Sequence, residues 1–269
     1  MEFCYPEFHE YKDEDEEYQG SEMVLCATGK NSVAQHPTML MDNTIYRMVE
    51  GSSLQLRIRG NEIAVVLIEG KVRLSWEDNE RVAERPNPID YPGTCLHVCR
   101  DVQVTIASLA DNTEILIQST ENPREFPATL YTPEKARVGI FGEGQFQGKA
   151  LRRVTTYFDI HNAPYSNMVC GEIVQPQGGW SSYPPHEHPH PEVYYYRFDK
   201  PQGFGACFLD DDVYKIRDRS FAAIEGGKYH PQVTAPGYAM MYVWMIRHFD
   251  GYPWDERNFH PEHQWLLNS

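Results

Sequence analysis

The stretch "GGWSSYPPHEHPHPEVYYYRF" (residues 178–198) packs three of the chain's eleven histidines into five positions, among prolines and just ahead of a tyrosine run. Proline removes a ladder N–H, and a buried imidazole loses hydration, so the composition is wrong for a plain strand. His186 and His188 are two apart and share a face wherever the backbone is extended. Neutral imidazoles placed side by side are ligands for Zn, Mn, Fe or Ni. On a straight strand Glu192 would stand ~20 Å from His186, at ~3.3 Å per residue, beyond the reach of one ion. The chain must therefore turn. Pro189-His190-Pro191 reads as a three-residue hairpin loop that sets Glu192 opposite His188 on the returning strand. A fourth ligand then comes from elsewhere. His230, in "GGKYHPQV" after a Gly-Gly turn, is the stronger candidate. His190 competes, although a loop-tip histidine between two prolines points most easily to solvent. By itself, H-x-H also fits a pair of exposed loop histidines.

Working outward, the chain reads as strands throughout. "SSLQLRIRG" alternates. "NEIAVVLIEGKVRLSWED" reads as a buried strand, a Glu-Gly turn and a second alternating strand. Further strands follow at "TEILIQST", "LRRVTTYFDI", "NMVCGEIVQP", "GACFLDDDVYKI" and "YAMMYVWMI". No long amphipathic helical pattern appears, so the fold class is all-β, with short strands spaced as in sandwiches or small barrels. Residues 121–147 are rich in proline and glycine with weak periodicity, which suits a connection between domains. The expected organisation is an acidic, solvated arm over 1–20, one β domain over 21–145 and a second over 146–269. The halves rhyme weakly, each with a glycine turn, a histidine and then strands, which suggests an internal duplication. The first half has His36 and His97 but no H-x-H, so one metal per chain is expected, in the second half.

A chain of 269 residues accommodates two such domains. Its net charge of −15 argues against nucleic acid and anionic membrane as partners, because both require a basic face. No apolar run approaches the ~20 residues of a membrane span, and the start lacks the pattern of a signal peptide. Six sparse cysteines form no secreted framework, which points to reduced thiols in a cytoplasm. Cys95, His97 and Cys99 alternate as C-x-H-x-C. This fits a metal half-site less well than one face of a strand, with cysteine as a small hydrophobe. Exposed strand edges favour a homo-oligomer. No Walker or dinucleotide glycine loop is present, so no organic cofactor is expected.

Alternation past Glu192 puts Tyr194 and Tyr196 on its face, as pocket walls or proton-handling groups, or else as ordinary barrel core. Lys228 would share the face of His230 on a regular strand. It is a catalytic candidate able to pair with a substrate carboxylate, or simply a surface lysine. Arg197 and Arg247 are the other carboxylate-binding candidates. Glu187, between the two histidines, should point away.

H-x-H-x3-E followed further on by G-x-x-x-H resembles the two metal motifs of the cupin superfamily. "GGWSSYPPHEH", "EVYYYRF", "GFG", "YHPQVTAPGY" and "HPEHQWL" sharpen this to a resemblance to the 5-deoxyglucuronate isomerases of myo-inositol catabolism. The 5-keto-4-deoxyuronate isomerases of pectin breakdown are similar at a greater distance. The match is dense over 171–265 and thin over 21–145. It implies two tandem cupin barrels (double-stranded β-helices), with one divalent metal in the C-terminal barrel held by His186, His188, Glu192 and His230. It implies a sugar-acid substrate. Trp180, Ser181, Ser182, Tyr183, Tyr229 and Tyr238 match recurring positions of the family, with Tyr229 a substrate-binding candidate. The chain departs from the pattern in its short link between His188 and Glu192. It also departs at Lys228, where a glycine is usual, at Trp244, where an asparagine is usual, and in "IRHFDGYPW". An iron-dependent cupin oxygenase would use the same ligands, and a sugar-acid-binding cupin without turnover is a third reading.

Overall fold

The computed structural model describes residues 2–13, 15, 17–27 and 36–268. The chain forms two compact units. One comprises Pro6–Lys135 with Tyr165–Asn167, and the other Met1–Tyr5, Ala136–Pro164 and Met168–Ser269. Strands dominate both, and the helical segments among the described residues are 3-10 turns. None is long and apolar enough to cross a membrane.

The first unit is organised by one strand, Asn61–Trp76. Its apolar run Ile63–Ile68 is buried throughout. Its first half pairs with Cys95–Val98 and Thr113–Glu121, and its second half with Asn79–Arg85 and Val104–Ser108. The expected Glu-Gly turn is therefore absent, and a single strand passes through Gly70. There φ is +102°, and a Cβ would lie 2.5 Å from Thr113 Oγ1, so only glycine lets the strand bend from one sheet into the next. His97 lies on the Cys95–Val98 strand, its Nε2 2.8 Å from Glu62 Oε2. Glu62 also accepts from Asn122 Nδ2 (3.0 Å), Ser166 Oγ (2.9 Å) and the Asn167 N–H (2.6 Å).

The acidic N-terminal stretch is not a free arm. Glu2–Cys4 pairs with Phe221–Ile224, and His9–Lys12 pairs with Tyr18–Cys26. Asp13 makes the turn between the latter two by accepting backbone N–H groups from Asp15 (3.0 Å) and Glu17 (2.9 Å), so part of the charge serves local structure. Glu14 and Glu16 of the acidic run lie outside the described residues.

In the second unit a seven-stranded antiparallel sheet runs in the order Glu2–Cys4, Phe221–Ile224, Glu192–Phe198, Met240–Arg247, Met168–Gln175, Arg152–Phe158, Arg137–Phe141. A four-stranded sheet carries Trp180–Ser181, Gln232–Thr234, Phe204–Leu209 and Asp212–Arg217. The core joins the two, with Tyr196, Tyr242 and Ile246 of the larger sheet clustering with Cys207, Leu209 and Ile216 of the smaller. Leu209, Ile216 and Ile246 each contribute about 1.5–3 kcal/mol by leaving water. This apolar body fixes the strand Glu192–Phe198 in the middle of the larger sheet, and Glu192 stands at its first position. Gly171 pairs with Trp244 on the adjacent strand, and a Cβ there would meet the indole at 2.5 Å, so the glycine makes room for the tryptophan.

Candidate active site

The turn after His188 exists but is not a hairpin. His186–Glu187 pairs with Asn258–Phe259, while Glu192–Phe198 pairs with Phe221–Ile224 and Met240–Arg247. Pro189 and Pro191 cannot donate ladder hydrogen bonds, so the link is held from outside. Gly227 donates its N–H to the His188 carbonyl (2.8 Å), and His188 Nδ1 donates to the His190 carbonyl (3.0 Å). Gly226 comes so close that a Cβ would lie 1.8 Å from the Pro189 oxygen. The Gly-Gly pair is thus a close-approach device that brings the His230 segment against the His188–Glu192 link. His190 is not at a solvent-facing tip. It is buried, stacked on Phe249 at 4.7 Å, and its Nε2 donates to the Tyr252 carbonyl (2.7 Å). The reason is the loop after Arg247, which covers it.

His188, Glu192 and His230 each bring one ligand atom to within 4.8 Å of the others, a group able to hold a metal ion. Glu192 Oε2 is 3.1 Å from His188 Nε2 and 3.3 Å from His230 Nε2. His186 stands outside that group, with its ring against that of His230 at 5.2 Å. All three imidazoles are oriented alike from behind. Nδ1 donates to a backbone carbonyl in each: Pro184 for His186 (2.9 Å), His190 for His188 (3.0 Å), Lys228 for His230 (2.7 Å). That bond selects the tautomer with an Nε2 lone pair, the form a metal needs. Burial, with His230 and Arg257 nearby, holds His186 well below the usual histidine range. Burial also lowers His230, despite the opposing pull of Glu192. Both rings are therefore neutral and available as ligands.

The group lies in the wall of a cavity of ≈ 310 Å³. Of the predicted site residues, His186, His188, Glu192, His230 and Tyr194 line it. Tyr194 Oη is 3.2 Å from Ser182 Oγ, which is 3.4 Å from Tyr242 Oη; Tyr242 in turn donates to Ser181 Oγ (2.9 Å). Burial, then the Glu192 carboxylate, raises the Tyr194 phenol well above its usual value, so it keeps its proton.

The remaining candidates lie elsewhere. Tyr196 is fully buried in the core and donates to Gln232 Oε1 (2.8 Å). Lys228 is at the surface, 2.7 Å from Asp210 Oδ2. The strand expected there begins only at Gln232, and the turn marked by the His230 Nδ1 to Lys228 carbonyl bond cancels the shared face. Arg197 is buried on the opposite face from Tyr194 and Tyr196, its Nε 3.1 Å from Asp218 Oδ1. Arg247 donates to the His248 carbonyl and lies 3.7 Å from Asp250. The Tyr229 ring packs on His260 at 4.4 Å. Glu187 accepts from Asn258 Nδ2 (2.7 Å). The cavity's arginines are instead Arg152 and Arg257, and Trp254, Phe141 and Phe259 complete its apolar walls. Alternation could have paired Arg152 with Val154, which also lines the cavity. Nothing local marks Arg257, because its loop reaches the site only through tertiary packing.

The chain resembles known proteins over most of its length. It is 26% identical to a 5-deoxy-glucuronate isomerase of Geobacillus kaustophilus over 245 residues, covering 84% of this chain and 85% of that one. It is 25% identical to a 5-deoxy-glucuronate isomerase of Bacillus subtilis strain 168 over 240 residues, covering 82% and 85%. Among solved structures, an IolB-like protein of Salmonella typhimurium LT2 superposes with a TM-score of 0.78 at 21% identity, covering 91% of this chain and 99% of that one. An oxalate decarboxylase of Lactobacillus farciminis in complex with formate gives 0.67 at 10% identity, covering 100% and 90%, a likeness of fold alone. The β fold is cupin-like. Residues 11–266 match the KduI/IolB family, and the chain belongs to it.

Proposed function

We propose that the chain is a metal-dependent isomerase of deoxyuronic acids, converting 5-deoxy-glucuronate into its keto isomer, 5-dehydro-2-deoxygluconate, in inositol catabolism. The observation that carries this reading is the convergence of His188, Glu192 and His230 in a cavity wall, within a family whose curated relatives bear that name. We take the two units as tandem cupin barrels, the C-terminal one holding a single divalent ion, with His186 as fourth ligand. The donor set fits such an ion: three Nε2 lone pairs fixed by backbone acceptors and one carboxylate. When bound, it would supply Lewis-acid polarisation of the substrate's carbonyl oxygen.

The reaction shifts one hydrogen from the hydroxyl-bearing carbon to the aldehyde carbon and one proton between their oxygens, with no net oxidation. Tyr194 suits the second transfer. Its buried phenol gives the proton on Oη to the developing alkoxide and recovers one from the neighbouring hydroxyl, while Ser182 holds the ring in place. Apolar side chains line much of a space on the scale of small-molecule pockets.

The test is metal analysis of the purified protein, then NMR of 5-deoxy-glucuronate incubated with it before and after chelation. Conversion that stops on chelation and resumes with metal is the expected result. Full-rate conversion by metal-free protein would show that the ion is structural. An unchanged uronate with oxygen consumed would favour the oxygenase reading.

A further inference from the structure

The cavity's two cations are differently employed. Arg152 is built into the wall: Nη1 donates to the Ala150 carbonyl (2.8 Å) and Nη2 to the Tyr183 carbonyl (2.9 Å). Arg257 is exposed, and its guanidinium lies over the Trp254 ring at 5.3 Å. Among the described residues it makes no hydrogen bond or ion pair. Its neighbour Asp255 is taken by His161 Nε2 at 2.7 Å. A guanidinium with no protein acceptor, in the wall of the cavity that holds the His188–Glu192–His230 cluster, has its donors free for an anionic occupant of that cavity.

Its mount is rigid on both sides. Trp254 is buried between His188 (5.9 Å) and Trp244 (5.7 Å), and its backbone N–H donates to His248 Nδ1 (2.9 Å). His190 anchors the same loop through the Tyr252 carbonyl. Immediately after Arg257, Asn258–Phe259 pairs with His186–Glu187, and the His260 N–H donates to the Pro185 carbonyl (2.9 Å). Arg257 is thus held between an indole packed on one candidate ligand and a strand paired with another. We infer that Arg257, stacked on Trp254, is the residue that receives the carboxylate of the sugar acid, and that the loop 248–257 is the specificity element of the site. The inference rests on the proposed deoxyuronate substrate. A guanidinium presents paired N–H donors that match a carboxylate, and stacking on an aromatic ring aims them at little entropic cost. It also gives His190 a use outside the ligand set, as a clamp on the loop.

The experiment compares wild type, Arg257→Ala and Arg257→Lys, all metal-loaded, with 5-deoxy-glucuronate and with 5-deoxy-glucose, whose hydroxymethyl group replaces the carboxylate. Calorimetric binding and steady-state kinetics are both read. Arg257→Ala should weaken binding and raise KM for the uronate by about 10- to 100-fold. The loss of kcat/KM should be much smaller for the neutral sugar than for the uronate, while Arg257→Lys recovers part of the uronate loss. Equal uronate affinity in wild type and Arg257→Ala overturns the assignment. A wild type that binds the uronate through Arg257 without converting it removes the isomerase reading and supports the carboxylate site. A wild type that binds no uronate overturns both.

Discussion

Each unit buries a histidine against a glutamate, and the two pairs have opposite fates. In the first unit Glu62 accepts from His97, Asn122, Ser166 and the Asn167 backbone, so its lone pairs are spent on the protein. In the second unit Glu192 directs one oxygen to two imidazoles whose far nitrogens are already satisfied, in the wall of a cavity. Residue type and burial are the same. What differs is unspent coordinating capacity and access, and those decide whether a polar cluster can hold a ligand or only holds the fold together.

The sharpest way to break this comparison is to remove a ligand. His188→Ala and Glu192→Gln should each abolish metal retention, measured by elemental analysis after dialysis, and take turnover to background, because a three-donor remnant neither keeps nor aims the ion. If either variant kept its metal and its rate, the cluster would be structural, like that around Glu62.

Next in size is the mirror experiment. Glu62→Ala strands several buried donors at once and should destabilise the first unit by about 3–5 kcal/mol in denaturant unfolding, with metal stoichiometry unchanged. Loss of metal without loss of stability would invert the roles assigned to the two clusters.

A third test separates position from chemistry. Gly226→Ala removes no candidate ligand side chain but puts a methyl against the Pro189 carbonyl, so it should cost about 1–3 kcal/mol of stability and weaken metal affinity as the His230 segment is displaced. Unchanged affinity would mean that the His230 segment accommodates the methyl without moving.

The finest contrast lies between the two tyrosines. Tyr194→Phe should lower kcat by about 100-fold, within the usual contribution of general acid–base catalysis, with metal retained. Tyr196→Phe should cost about 1 kcal/mol of stability through its lost bond to Gln232 and leave kcat near wild type. Equal kcat losses would refute the distinction drawn from the cavity.

Much of this was legible in the chain itself. Alternation placed Tyr194 and Tyr196 on the face of Glu192, because a strand's period of two is a local property of extended backbone. It could not say that this face passes from cavity to core between residues 194 and 196. That boundary depends on where the four-stranded sheet covers the larger one. The link Pro189-His190-Pro191 was readable as a turn, since proline forbids continuation of the ladder. Its partners were not readable, because the strands on either side find different sheets. Gly70 looked like a turn for a similar reason: positive φ serves a bend in a continuous strand as well as a reversal.

The sequence by itself determined the β class, the residue types of the candidate ligand group and the Gly-Gly turn ahead of His230, all of which follow from short-range backbone geometry and side-chain chemistry. Tertiary structure alone decided that Lys228, Arg197 and Arg247 are engaged elsewhere, that His190 clamps a loop, and that Arg152 and Arg257 reach the cavity. A long cationic side chain goes wherever a partner or a ring is within its reach, and that is set by packing between segments far apart in the chain.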